Sequence, residues 1–150
     1  LIEKRCFVIM AITEAMCTSF KQEVLEGVHN FKASGGDTFK IALYTSSASL
    51  DATTTAYNTS NEVSGTNYDA GGFTLTSKSP ETIGTTAVCS FDDAFWNSSS
   101  ITARGALIYN SSQSNKAVCV LDFGVDKTSN PDFRIDFPAE TATGALIRFA

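Results

Sequence analysis

Short apolar runs that alternate residue by residue, each closed by Ser, Thr, Asn or Gly, confine this chain to a β-rich fold. Across Phe39 to Thr45, Phe39, Ile41 and Leu43 alternate with Lys40 and Ala42. Gly72 to Lys78 alternates the same way and predicts inward-facing Phe73 and Leu75. Thr85 to Phe91, Ile101 to Tyr109, Ala117 to Phe123, Phe133 to Phe137 and Gly144 to Phe149 continue the series. The Ala106 to Ile108 run reads as buried on both faces. Only Ser111 to Asn115 separates two of these strands, a hairpin-length connection that predicts antiparallel pairing. Pro80 to Gly84, Asn97 to Ser100 and Gly124 to Pro131 read as turns or loops. So does the Thr-rich stretch Ser46 to Asn61, with room for one short strand. In Asn61 to Gly72, the glycines Gly65, Gly71 and Gly72 suggest positive φ. About seven to eight strands with no interleaved helices give a mainly β fold, an antiparallel β-sandwich or β-roll.

One helix precedes the strands. Met16, Phe20, Val24, Val28 and Phe31 recur at helical spacing over Thr13 to Phe31. Thr13 is the expected N-cap, with Glu14 at the positive end of the dipole, and Ser34-Gly35-Gly36 the stop. At 150 residues the chain fits one domain, over 10–150. Leu1 to Ile9 precede Met10 and read as an upstream extension or arm.

The chain's chemistry is spare. It holds a single histidine, His29, placed near the helix end and expected to be solvated or to meet the helix dipole. No G-x-S-x-G or phosphate-cradling glycine loop accompanies it, which argues against a nucleophile triad. Asp92 and Asp93 are acids of the type used in glycoside hydrolysis, but between a strand and an aromatic pair they read first as a solvated turn. Asp122, Asp126, Asn130 and Asp132 offer hard oxygen ligands for Ca²⁺, yet their spacing is not that of an EF-hand, and an ordinary polar turn is the simpler reading. No cofactor is expected. Cys6, Cys17, Cys89 and Cys119 are expected as buried thiols; a Cys89–Cys119 bridge stays open, and a structural zinc site is disfavoured. A net charge of −5 argues against nucleic acid and anionic membranes, and no run approaches a membrane span.

Other residues point to surfaces. Trp96 with Phe95, Tyr57, Tyr68 and Tyr109 forms either a sugar-stacking platform or, more simply, core. Arg104, a charge inside an apolar strand, calls for a carboxylate from Asp92, Asp93 or Asp122, within the fold or across a subunit interface. Arg134 and Arg148 read as outward. The sequons at Asn58, Asn97 and Asn110 read as exposed loops. Met16, Phe20, Val24, Arg104 and Trp96 are the candidate interface residues.

The stretches MAITEAMCTSFKQEVLEG from Met10, FKIALYTSSASL from Phe39, NEVSGTNYDAGG from Asn61, TARGALIYN from Thr102 and VLDFG from Val120 carry a family likeness. From Met10 onward the chain resembles small virion proteins of tailed bacteriophages of marine and aquatic type. The resemblance implies a non-enzymatic particle component located in the virion and assembled in the host bacterial cytoplasm. Its implied partners are copies of itself and other phage particle proteins, either the major capsid protein or the neck and tail. A capsid decoration or cement protein is the first expectation. A neck, tail or tail-tip subunit, with a receptor- or carbohydrate-binding role, is the alternative.

Overall fold

The structure is a computed structural model, and it describes residues 11–150. The expectations for Leu1 to Ile9, for a start at Met10 and for Cys6 lie outside the described residues. The fold is a β-sandwich with one short helix. Its elements, in order, are β1 (Ala15–Met16), α1 (Thr18–Leu25), β2 (Phe39–Tyr44), β3 (Phe73–Thr74), β4 (Glu81–Ile83), β5 (Thr86–Cys89), β6 (Ala94–Trp96), β7 (Thr102–Asn110), β8 (Lys116–Thr128), β9 (Phe133–Ile135) and β10 (Ile147–Phe149).

The main sheet has five strands in the order β1-β8-β7-β2-β3. The expected hairpin is its centre: β7 pairs antiparallel with β8, and Leu107 faces Val120. Ala106, Leu107 and Ile108 are fully buried, as their unbroken apolar run requires. A three-stranded sheet (β10-β5-β4) and a two-stranded sheet (β6-β9) complete the fold, and residues from all three sheets share one apolar core. Among the described residues, no helix is long and apolar enough to cross a membrane.

The helix is shorter than its sequence period predicts. Thr13 caps nothing; its N–H bonds the Leu50 carbonyl, and Met16 is a strand residue opposite Cys119. The N-cap position is Cys17, which contributes no side-chain bond. The stop comes at Gly27, not at Ser34-Gly35-Gly36. Gly27 takes φ +73°, its N–H bonds the Val24 carbonyl, and the Val28 N–H bonds the Glu23 carbonyl. This is the Schellman arrangement, which favours glycine at the left-handed position. Val28 and Phe31 keep the helical spacing but lie on an irregular strap, 27–37, that follows the helix.

Other boundaries shift for local reasons. The expected Pro80 to Gly84 turn contains β4, which forms a hairpin with β5. The aromatic pair Phe95-Trp96 lies on β6, facing β9. The expected loop from Gly124 is in part an excursion of β8. Gly105 pairs with Asp122 and Ala103 with Lys127, so residues 123–126 stand opposite Arg104 alone. Gly71 and Gly72 take the expected positive φ, and a Cβ on Gly72 would lie 1.9 Å from the Ile41 carbonyl oxygen. Gly65 does not share that backbone; it is pressed instead against the Ser100 carbonyl.

Candidate functional site

His29 is not at the surface. Its side chain is fully buried, with ring centroids 5.0 Å from Phe20 and 6.4 Å from Phe39. Both ring nitrogens are engaged. Nε2 lies 2.8 Å from Glu23 Oε2, and Nδ1 lies 2.9 Å from Asn110 Nδ2. The Ser112 backbone N–H, which can only donate, bonds Asn110 Oδ1 at 3.1 Å and fixes that amide's orientation. Asn110 Nδ2 is therefore the donor, His29 Nδ1 the acceptor, and the ring proton sits on Nε2 facing Glu23. The same Asn110 nitrogen donates to Asp37 Oδ2 at 2.8 Å, and Lys116 Nζ donates to Glu23 Oε1 at 2.8 Å. The result is a part-buried polar chain, Lys116–Glu23–His29–Asn110–Asp37, joining α1 and the strap to the β7–β8 hairpin.

The electrostatics follow from this arrangement. Burial raises the Glu23 carboxyl, but the hydrogen bonds from Lys116 and His29 outweigh it and hold the group below its ordinary value. Burial likewise raises Asp37, and hydrogen bonds from the Asn110 amide, the Asn30 N–H and Gln113 turn the balance downward. The sequence gives no sign of this chain, because its members are scattered from position 23 to position 116. The sequon at Asn110 does not mark an exposed loop, since that residue is fully buried.

The other acids are separately occupied. Asp93 accepts from Arg134 at 2.8 Å and from the Phe137 N–H at 2.9 Å, while the Asp92 side chain is 61 % exposed beside Lys78. Arg134 also meets Asp136. Asp122 takes the Arg104 guanidinium at 3.2 Å, the carboxylate partner expected for that arginine, and accepts from the Gly124 N–H. Asp132 accepts from the Ser98 N–H at 2.7 Å, and Asp126 and Asn130 are exposed. Among the described residues, no three His, Cys, Asp or Glu side chains converge as a metal-binding group.

Most aromatic side chains turn inward, while Phe95 and Phe149 stay exposed. Trp96 is 5 % exposed and packs against Tyr68, Phe73 and Phe133. It is core, as its simpler reading holds, and offers no stacking platform. All four tyrosines gather at the loop 46–72. Glu62 accepts from Tyr57 at 2.7 Å, from Tyr68 at 2.8 Å and from the Gly71 N–H at 2.8 Å. Tyr68 in turn accepts from the Leu43 N–H of β2 at 2.8 Å, and Tyr109 of β7 donates to the Gly71 carbonyl at 2.7 Å. Tyr44 donates to the Asn58 carbonyl at 2.6 Å. These bonds clamp a long polar loop to the main sheet.

The candidate interface residues divide. Phe20 and Trp96 are spent in the core, so neither reaches a partner. Met16 and Val24 are half-buried, and Arg104 is half-buried against Asp122. Met16 lines a groove of about 300 Å³ with Glu14, Cys119, Leu121, Leu146 and Ile147. Val24 lines a smaller, mainly apolar hollow of about 100 Å³ that shares Ile147 and reaches Phe149. Leu25, Val125 and Phe149 stand out as exposed apolar side chains that sequence pattern alone does not single out.

Cys17, Cys89 and Cys119 are buried free thiols, and the open Cys89–Cys119 bridge is not formed. Burial pushes Cys17 and Cys89 to about 11 and Cys119 to about 12, values of unreactive thiols. No known protein family matches the chain, and neither the curated proteins nor the solved structures contain a match to it.

Proposed function

We propose that this chain is a non-enzymatic structural subunit of a tailed-bacteriophage particle, and within it a capsid decoration protein. The observation that carries the reading is the use made of the polar groups. The lone histidine has both ring nitrogens committed inside the fold, and the aspartates of the expected turn are exposed or tied to Arg134. The groups usual in catalysis act here as fasteners. What remains outward is an acidic, Ser/Thr-faced exterior with isolated apolar points at Leu25, Phe95, Val125 and Phe149 and a groove beside Met16. Such a surface suits protein–protein contacts with an apolar centre and polar rim. The family likeness supplies the particle.

The test is binding of the full chain to empty shells assembled from the major capsid protein of the phage that encodes it. Saturable co-sedimentation, weakened by Met16→Glu and Val125→Asp, supports decoration. Saturable binding to purified tails and none to shells moves the subunit to the neck or tail. No binding to either removes the proposal.

A further inference from the structure

We propose that α1 and the strap 27–37 form a flap over the aromatic pair Phe39–Phe91, locked by the chain Lys116–Glu23–His29–Asn110–Asp37 and released by proton uptake before the rest of the fold opens. The flap has little structure of its own. The helix is eight residues long, without a side-chain cap, an acid in its first turn or a base in its last. A helix of that length is not stable alone in water and persists only where something holds it. The strap pairs with no strand. What holds the flap is Phe20, the stack of Phe31 on Phe39 with centroids 4.3 Å apart, the polar chain, and two pH-insensitive bonds, from the Thr18 N–H to the Ala52 carbonyl and from the Ala33 N–H to the Ser79 hydroxyl.

Each acceptor in that chain is a titratable atom facing a donor that cannot turn into an acceptor. Glu23 faces the Lys116 ammonium and the His29 Nε2–H. His29 Nδ1 and Asp37 Oδ2 both face the Asn110 amide, whose orientation the Ser112 N–H fixes. A proton on the Glu23 or the Asp37 carboxylate sets donor against donor in a part-buried place, and the loss is felt at the flap. From the flap, Glu23, His29 and Asp37 face this cluster; from the β7–β8 hairpin, Lys116, with the neutral Asn110 and Gln113. At the helix N-cap lies the buried Cys17 thiol, which feels Asp51 and Glu23. The main sheet is held by antiparallel backbone hydrogen bonds, and peptide groups do not titrate in this range. Glu23 and Asp37 sit below their ordinary values, so their stabilisation is complete above the usual carboxylate range and drains as pH falls through the folded values. When the flap lifts, Phe31 leaves with it, and Phe39 and Phe91 meet solvent.

Native-state hydrogen exchange on the full chain at pH 7 and at about pH 3, below the ordinary carboxylate values, tests this. Protection of the Phe20 to Leu25 amides is expected to fall about tenfold or more in acid, while Leu107 and Val118 keep theirs. The double variant Glu23→Gln, Asp37→Asn is expected to show the same pattern at pH 7. Loss of helix and sheet protection together in the wild type, or no change in the helix on acidification, overturns the proposal. If the double variant does not fold, the wild-type comparison decides alone.

Discussion

Lys116 Nζ and Glu23 Oε1 lie 2.8 Å apart, although 93 residues separate them in the chain. This contact ties the only helix among the described residues to the hairpin at the centre of the main sheet. Lys116→Met is expected to destabilise the fold by about 1–2 kcal/mol, a modest value because the lysine is part-exposed and solvent screens the pair. The loss should be present at pH 7 and fade in acid, where Glu23 takes up a proton in the wild type as well. Urea unfolding of both proteins at two pH values checks this, and a pH-independent difference speaks against the ion pair as its cause.

Tyr68 and Tyr57 donate to the same carboxylate but are not equivalent. Tyr68→Phe leaves the buried Leu43 N–H without an acceptor and is expected to cost about 1–3 kcal/mol. Tyr57→Phe removes one bond from a half-buried site and is expected to cost about 0.5–1.5 kcal/mol. Chemical denaturation ranks the two, and the reverse order contradicts the clamp described for the loop 46–72.

Trp96 is the sole tryptophan and reports on the core directly. Its emission should be blue-shifted and resistant to acrylamide in the native state. Added mono- and oligosaccharides should leave it unchanged. Trp96→Ala is expected to lose about 3–5 kcal/mol of stability, as for a large aromatic removed from a packed core. Ready quenching in the native protein contradicts the buried position.

Cys17, Cys89 and Cys119 should resist thiol reagents. In a Cys6→Ser background at about pH 8, far below thiol values near 11 to 12, little thiolate is present and access is closed. All three are expected to react only after denaturant is added. Rapid native-state labelling at any of them points to a more open site.

The strands were legible where a single rule decided them. Period-two alternation at 39–45 and the unbroken apolar run at Ala106 to Ile108 each admit one reading, and both hold. The helix end was not, because Val28 and Phe31 keep the apolar spacing past Gly27; both side chains still pack on the core, by way of the strap. The glycine after Glu26 was the available signal. The strands β4 and β6 have three residues each, too few for a period, and sit beside Pro80 and Asp92-Asp93, which read as turns. The partner of Arg104 was narrowed to three acids by charge alone, and the register between Gly105 and Asp122 selects one. The networks at Glu23 and Glu62 join residues distant in sequence. No local pattern carries them, so the burial of the His29 side chain and of Tyr44, Tyr68 and Tyr109 can be read only from the fold.

The central claim is that this chain is built to sit in a particle rather than to turn over a substrate. Peptide mass spectrometry of particles produced from the genome that encodes it, purified through density gradients and matched to reconstructed density, tests this most directly. The account expects the chain in a fixed, high ratio to the major capsid protein and a β-sandwich of this topology resolved on the shell. Intact, infectious particles that lack the chain altogether would contradict it.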